Sequence, residues 1–346
     1  MARLSTALAV VAAALIAGAL MPARALAHGP VAPVASSYLA RLGHVPAGLD
    51  AKVVDGDQRM WLRVPPTEPV VVLDYRGAPY LRFTSAGVQV NQNSSMYYLN
   101  RTPVALPVPA NLTQSTPPKW QHASGGHDYT WHDGRLHALA AVALTPGKSF
   151  VGTWRVPLLI DGRPGAVSGG LWHAASPSLV WFWPIAVLLL CVLAAWRVRA
   201  PSLDARVARA LGIASLLAIG TGAVGQQLHG HPAVTVVQLI ELTVLLAFVA
   251  WGLARTAFGA PGYFTYVVIG FVAIYQGAVL IPTLLDGFVL IALPAFVARA
   301  ASVLCLGAGL SLLVLGFRLA DNAASAPPGS EVTDERQVEE TAWEPT

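Results

Sequence analysis

Nine histidines are the residues in this chain best suited to chemistry: His28, His44, His122, His127, His132, His137, His173, His229 and His231. Imidazole is the commonest side-chain donor to copper and zinc. The two cysteines, Cys191 and Cys305, sit inside apolar stretches. A metal held by the polar part of the chain would therefore use imidazole, with carboxylate or amine support. The competing reading is that exported loops simply carry most of the polar residues.

His28 is the sharpest candidate. Ala23-Arg24-Ala25 and Ala25-Leu26-Ala27 are small-x-small cleavage sites after the apolar run Ala7–Leu20. A cut after Ala27 makes His28 the mature N-terminus, whose amine and imidazole can chelate one ion together. A second imidazole would complete a T-shaped three-nitrogen site suited to Cu(II). A cut after Ala25 leaves Leu26 first and removes that site.

The run Tyr129-Thr130-Trp131-His132-Asp133-Gly134-Arg135-Leu136-His137 carries the two-residue hairpin signal Asp-Gly, a type I′ turn. In that register Trp131 and Leu136 face the core. Thr130, His132, Arg135 and His137 share the other face, where diagonal neighbours could grip one small ion. His127 stands beside the Gly125-Gly126 turn, its direction open. Asp133 reads either as the turn residue or as an acceptor orienting a ligating imidazole. The metal set expected from these arguments is His28, His132, His137 and His127, with copper as the cofactor. The bland alternative is a hairpin with a solvated polar face. The Tyr/Asn-rich stretches with Tyr75, Tyr80, Asn91, Asn93, Tyr97, Tyr98 and Asn100 read as loop closers or as ligand contacts.

A second cluster lies in apolar surroundings. Glu241 falls in the middle of the hydrophobic run Ala233–Ala254, with Gln238 one turn before it and His229 and His231 just outside. Intramembrane ionisable groups are costly and are functional candidates. His229, His231, Gln238 and Glu241 form an expected cation pathway, or else Glu241 is hydrogen-bonded within the bundle or bound to Arg209 or Arg299.

The elements that must position these groups follow from composition. Charged residues make up 12% of 346, mean hydropathy is +0.55, and there are 31 glycines and 26 prolines. A net charge of +4 without a Lys/Arg cluster gives no support for nucleic-acid binding. Phosphate-binding, dinucleotide, zinc-peptidase, nucleophile-elbow and C-x-x-C signatures are missing, so a binding protein is favoured over an enzyme. Residues 1–27 read as a signal peptide. Residues 28–176 alternate short β-prone runs (Trp61–Val64, Val70–Leu73, Tyr80–Phe83, Val88–Val90, Ala138–Leu144, Ser149–Leu159) with turn residues, which predicts a β-sandwich-like domain. Residues 177–320 predict an α-helical transmembrane bundle of about five spans: Leu179–Trp196, Ala210–Val224, Ala233–Ala254, Gly262–Ile281 and Ala300–Phe317. Leu284–Val297 reads as a surface or re-entrant segment. Residues 321–346 read as a disordered tail. Arg197, Arg199, Arg206, Arg209, Arg255 and Arg318 follow alternate spans. By the positive-inside rule the β domain is extracytoplasmic and the tail cytoplasmic.

Tyr75-Arg76-Gly77-Ala78-Pro79-Tyr80-Leu81-Arg82-Phe83, Gly87-Val88, Asn91-Gln92-Asn93-Ser94, Tyr98-Leu99-Asn100, Pro117-Pro118-Lys119-Trp120 and Trp131-His132-Asp133-Gly134-Arg135 resemble a group of actinobacterial exported multi-pass membrane proteins. The resemblance covers most of the β domain and the layout of the spans, and it implies architecture, not activity. An N-terminal histidine ahead of a β domain also resembles histidine-brace copper proteins. These readings converge on a membrane-anchored copper-capture or trafficking protein. The alternatives are a non-metal envelope-binding or sensory module tethered by the bundle, and a brace-type copper redox enzyme. The bilayer and a metal ion are the expected partners.

Overall fold

The computed structural model describes residues 33–100, 106–137, 149–197, 201–230, 233–259 and 261–325. The expected signal peptide, His28, His231, the run Ala138–Leu144 and residues 326–346 lie outside the described residues.

The polar part of the chain builds two β-sheets around one core. The first holds β2 (Tyr38–His44), β5 (Val70–Leu73), β6 (Pro79–Thr84), β7 (Gly87–Asn91), β8 (Trp120–Ser124), β10 (Phe150–Ile160) and β11 (Arg163–His173), in the order β2-β11-β10-β5-β6-β7-β8. The second is β3 (Asp50–Val54), β4 (Arg59–Arg63) and β9 (Asp128–His132), in the order β3-β4-β9. Inward residues alternate along β5 and β10, as a two-residue repeat requires. Trp154, Val156 and Leu158 of β10 meet Val70 and Val72 of β5 and Leu81 and Phe83 of β6. Met60 and Leu62 of β4 and Trp131 of β9 close the core from the other sheet. Every expected strand in the described residues is present.

A carboxylate anchors the loops above this core. Asp74 is buried, and its Oδ1 accepts from the backbone N–H of Arg76 and Ala78. Its Oδ2 accepts from the Ser94 and Ser95 hydroxyls and the Ser95 N–H. That fastens the β5–β6 turn to the short helix α1 (Ser95–Leu99). The Tyr/Asn stretches mostly close loops in the same way. Asn91 donates to the Pro79 carbonyl and accepts from Asn93 and Lys119, while Asn93 donates to the Pro117 carbonyl.

The apolar half is a bundle of α2 (Trp183–Arg197), α3 (Pro201–Gln227), α4 (Val236–Leu253), α5 (Tyr263–Leu280), the short α6 (Pro282–Leu285) and α7 (Ala295–Ser325). Four helical stretches are long and apolar enough to cross a membrane: 202–227, 236–258, 263–280 and 295–322. A shorter apolar stretch, Leu179–Ala194, precedes them. Helix α3 starts nine residues before the expected span. The buried Asp204 pairs with Arg318 of α7 at 3.0 Å, so the charged first turns stay helical inside the bundle. Helix α4 continues as a π-helical turn through Phe258. Helix α7 contains the expected span Ala300–Phe317 and runs on through the first residues assigned to the tail.

Helix α7 packs against α2, α3 and α5. Glycines allow the closest approach. A methyl at Gly270 would lie 2.8 Å from Leu313 Cδ2 and 3.1 Å from the Gly309 carbonyl oxygen. One at Gly309 would lie 2.9 Å from Ala273 Cβ and 3.2 Å from the Gly270 carbonyl oxygen. Small residues at mutual contact are how apolar helices associate in lipid.

The two halves meet at an inter-domain strand pair. β1 (Ala35–Ser36) pairs antiparallel with β12 (Phe288–Val289), which lies in the expected re-entrant segment. Leu290 N–H donates to the Val34 carbonyl and the Ser37 hydroxyl donates to Asp286. Val34 is buried with Leu280, Ile291, Ala298 and Ala301 of the bundle. Arg299 donates to the Thr283 carbonyl at 2.9 Å and holds the segment against α7.

Gly270→Val should destabilise the purified protein by about 1–3 kcal/mol, the usual cost of overpacking. Thermal unfolding in detergent would show this as a lowered midpoint. An unchanged midpoint would mean that α5 and α7 are not in close contact.

Candidate metal centre

β9 ends at His132, and the chain then turns through a single 3₁₀ turn, Gly134–Leu136, to reach His137. The type I′ hairpin expected at Asp133-Gly134 does not form. Asp133 is extended at φ −134°, whereas that turn needs positive φ, and β9 pairs with β4. The reason is the carboxylate. Asp133 is fully buried and accepts from Trp131 Nε1 at 2.9 Å and from the Arg135 N–H at 3.1 Å. It also accepts from Arg135 Nε at 2.7 Å and from a terminal guanidinium nitrogen at 2.6 Å. The same guanidinium donates to the Leu73 carbonyl at 2.9 Å and lies over the Tyr75 ring. The Tyr75 hydroxyl in turn accepts from Gly134 N–H at 2.8 Å. Burial, with Asp133 nearby, pushes the Tyr75 hydroxyl up from its usual range, so it stays protonated.

The tight turn still delivers the juxtaposition that a hairpin would have given. Trp131 and Leu136 are buried in the core. His132 and His137 come together, Nε2 to Nε2, at 2.9 Å. Their rings are tilted by 36° with centroids 4.9 Å apart. On the far side of each ring the other nitrogen has its own partner. His137 Nδ1 donates to Asp57 Oδ2 at 3.1 Å, and His132 Nδ1 lies 3.4 Å from Asn100 Oδ1. At that separation the two rings share one hydrogen bond, the Nε2–H of one donating to the Nε2 lone pair of the other.

Asp57 reaches the site from the β3–β4 turn. Asp55 and Gly56 both adopt positive φ, 59° and 81°, which reverses the chain and aims Asp57 inward. The turn is tied down by Asp55–Arg59 at 3.2 Å and by Asp133 N–H donating to the Gln58 carbonyl. Asp57, not Asp133, is the carboxylate that orients an imidazole. The only signal for it was its place beside the Asp55-Gly56 turn. Asn100 lies in the Tyr/Asn stretch but showed no link to histidine in the sequence.

Burial lowers the His132 pKa below its ordinary value, and the neighbouring His137 lowers it further. Neutral imidazole is the form that binds metal. A cleft of about 620 Å³ opens beside it, bordered by Tyr75, Arg135, His137, Trp154, Arg155 and Leu171.

The other expected donors are distributed differently. His127 lies at the opposite end of β9, five residues or roughly 16 Å from His132. Its carbonyl accepts from Val64 N–H. His229 and Gln238 are at the bundle end facing the β domain, where Gln238 caps α4 with Thr235 and donates to the His229 carbonyl. Glu241 accepts from Gln227 at 3.0 Å and lies about 8 Å along α4 from Val236, near the helix start rather than its middle. Arg209 and Arg299 bond backbone carbonyls instead of Glu241. Among the described residues no three His, Cys, Asp or Glu side chains converge on one point.

Fold and site together define a β-sheet domain carried on an apolar helical bundle and holding an imidazole pair. Comparison with known proteins finds no matching family model, no similar curated protein and no similar solved structure.

Two outcomes test this site. Asp133→Ala strands a buried guanidinium and an indole N–H, and should cost about 3–5 kcal/mol; chemical denaturation of the full chain measures it. For pH, the unfolded chain protonates His132 near pH 6.5 while the folded chain resists. Stability should therefore fall as pH drops through that value and level off below the lowered native pKa. His132→Gln should flatten this part of the stability profile, and an unchanged profile would show that burial does not suppress His132 charging.

Proposed function

We propose that the protein captures a copper ion on the extracytoplasmic side of a membrane and holds it between His132 and His137. One observation carries the reading: two imidazole Nε2 atoms face each other at 2.9 Å, with the outer nitrogens directed at Asp57 and Asn100. In the metal-free protein the two nitrogens share a hydrogen bond, and a metal ion takes the place of its proton. At metal–nitrogen distances of about 2.0 Å, the two donors subtend about 90° at one ion. They occupy adjacent corners of a tetragonal site, which suits Cu(II). Asp57 is then the outer carboxylate that fixes the tautomer and raises ligand basicity.

Two imidazoles leave coordination positions open, as capture and hand-over require. His28 is the natural third donor. Ser36 borders the Asp55–Asp57 turn, its Cβ lying 3.2 Å from a methyl placed on Gly56. Ser36 is eight positions after His28, and an extended chain of that length reaches on the order of 26 Å. Adjacent imidazoles differ from the opposed pair of a T-shaped brace, which favours capture above brace-type redox chemistry.

Orientation rests on charge. Arg206, Arg209 and Arg255 are exposed at the bundle end away from the β domain, which by the positive-inside rule faces the cytoplasm. Reading Leu179–Ala194 as a fifth crossing puts the β domain and the C-terminal tail on opposite sides.

Cu(II) titration of the full chain in detergent, read by EPR, tests the proposal. One tight equivalent with nitrogen hyperfine structure is expected, lost in the His132→Ala/His137→Ala double variant. Asp57→Asn should weaken it about 10- to 100-fold. If the double variant binds copper as well as the parent, the contact is only a shared-proton hydrogen bond. The β domain is then a non-metal binding module.

A further inference from the structure

The outer face of the seven-stranded sheet carries an aromatic cluster that the metal centre does not use. On β11, Val167 and Leu171 point into the core, so Ser168, Gly170 and Trp172 lie on the other face. Phe150 of β10 stands opposite Trp172, and Arg41 of β2 stands opposite Gly170. Both aromatic rings lie over Gly170, where a methyl would stand 2.6 Å from the Trp172 ring and 2.9 Å from the Phe150 ring. Their centroids are 5.4 Å apart. The Arg41 guanidinium lies over the same Trp172 ring, 5.4 Å from its centroid. Phe150 is still 49% exposed, and Arg41 is exposed. Arg41 takes part in none of the ion pairs among the described residues. Its outer-face neighbours Leu39, Thr153 and Arg155 bring no carboxylate.

The cluster stands at the end of the β domain nearest the bundle. His173 N–H donates to the Ser149 carbonyl at 2.7 Å, and Ala174 N–H donates to the Ser37 carbonyl at 3.0 Å, beside β1. A methyl on Gly287, between α6 and β12, would lie 2.8 Å from the Ala175 carbonyl oxygen. The chain then enters the apolar stretch Leu179–Ala194, where Leu179, Val180 and Trp183 are exposed. A single exposed apolar residue needs no explanation. Two stacked rings with a guanidinium, at the level where a chain enters lipid, have the composition of a membrane interface.

We propose that this face is a lipid-headgroup site, in which Phe150 and Trp172 enter the interfacial layer and Arg41 binds a phospholipid phosphate. The planar guanidinium matches a phosphate group with two parallel hydrogen bonds. The β domain is then held at two places, by the β1–β12 strand pair on the bundle and by this face on the bilayer. The inference is independent of the copper reading.

The test uses the full chain in nanodiscs of phosphatidylcholine and phosphatidylglycerol. The exposed Cys191 is replaced by serine, while Cys305 is buried. A nitroxide is attached at Phe150→Cys or, as reference, at Thr153→Cys, three residues or roughly 10 Å further from the bundle on the same face. Power-saturation EPR compares collisions of each label with oxygen, which concentrates in lipid, and with a water-soluble nickel chelate. The label at 150 should favour oxygen and the label at 153 should favour nickel. Arg41→Gln should shift the label at 150 toward the aqueous pattern, and Arg41→Lys should not, with matched thermal midpoints excluding misfolding. A label at 150 as open to nickel as the one at 153 overturns the proposal and leaves the face to solvent or a protein partner. A label at 150 that stays in lipid whatever residue stands at position 41 overturns the phosphate contact.

Discussion

The buried carboxylate of Asp133 decides the geometry of the candidate centre. An ion pair in a core is a net gain only when every remaining hydrogen-bonding group finds a partner. Here the guanidinium of Arg135 meets Asp133, the Leu73 carbonyl and the Tyr75 ring, and the second carboxylate oxygen also takes the Trp131 indole N–H. The cluster binds β9, the 3₁₀ turn and the end of β5 into one unit. That unit makes the chain double back over five residues, so that His137 returns to His132. The Asp74 carboxylate does the same for the neighbouring β5–β6 turn, to which Tyr75 belongs. Two carboxylates, both buried and both saturated with donors, therefore set the rigid wall on which the imidazoles stand.

Much of this architecture was legible in the residues. The β-branched and aromatic runs Val70–Leu73 and Tyr80–Phe83, bounded by turn residues, placed strands where they occur, because such side chains suit a pleated, half-buried surface. The apolar runs placed the helices for a similar reason. Their ends were less legible. Asp204 and Arg206 look like loop residues in a hydropathy window, yet Asp204 is compensated by Arg318 more than a hundred residues later. That pairing has no local signature.

The site shows the same division. The spacing of His132 and His137 pointed to a shared face, and the two rings do meet. The route differs from a hairpin, because the tertiary bonds of Asp133 override the strong local turn signal of Asp-Gly. Asp57 and Asn100, which take the outer nitrogens, come from other elements and could not be inferred from the run 129–137. The separation of His127 follows from the length of β9, which its neighbouring glycines concealed.

The inter-domain strand pair has a consequence for how the molecule is made. Ser37 and Asp286, hydrogen-bonded at the junction, are 249 positions apart in the chain. Contacts of such sequence separation form late, after the intervening loop has been closed. The β domain can complete its sheets as soon as β11 emerges, since every partner strand precedes it. β1 must then wait, unpaired, while the bundle helices enter the bilayer and present Phe288–Val289. The final seating of the imidazole-bearing domain over the bundle thus reports that assembly of the last helix is complete, and a truncated chain would carry a folded but undocked β domain.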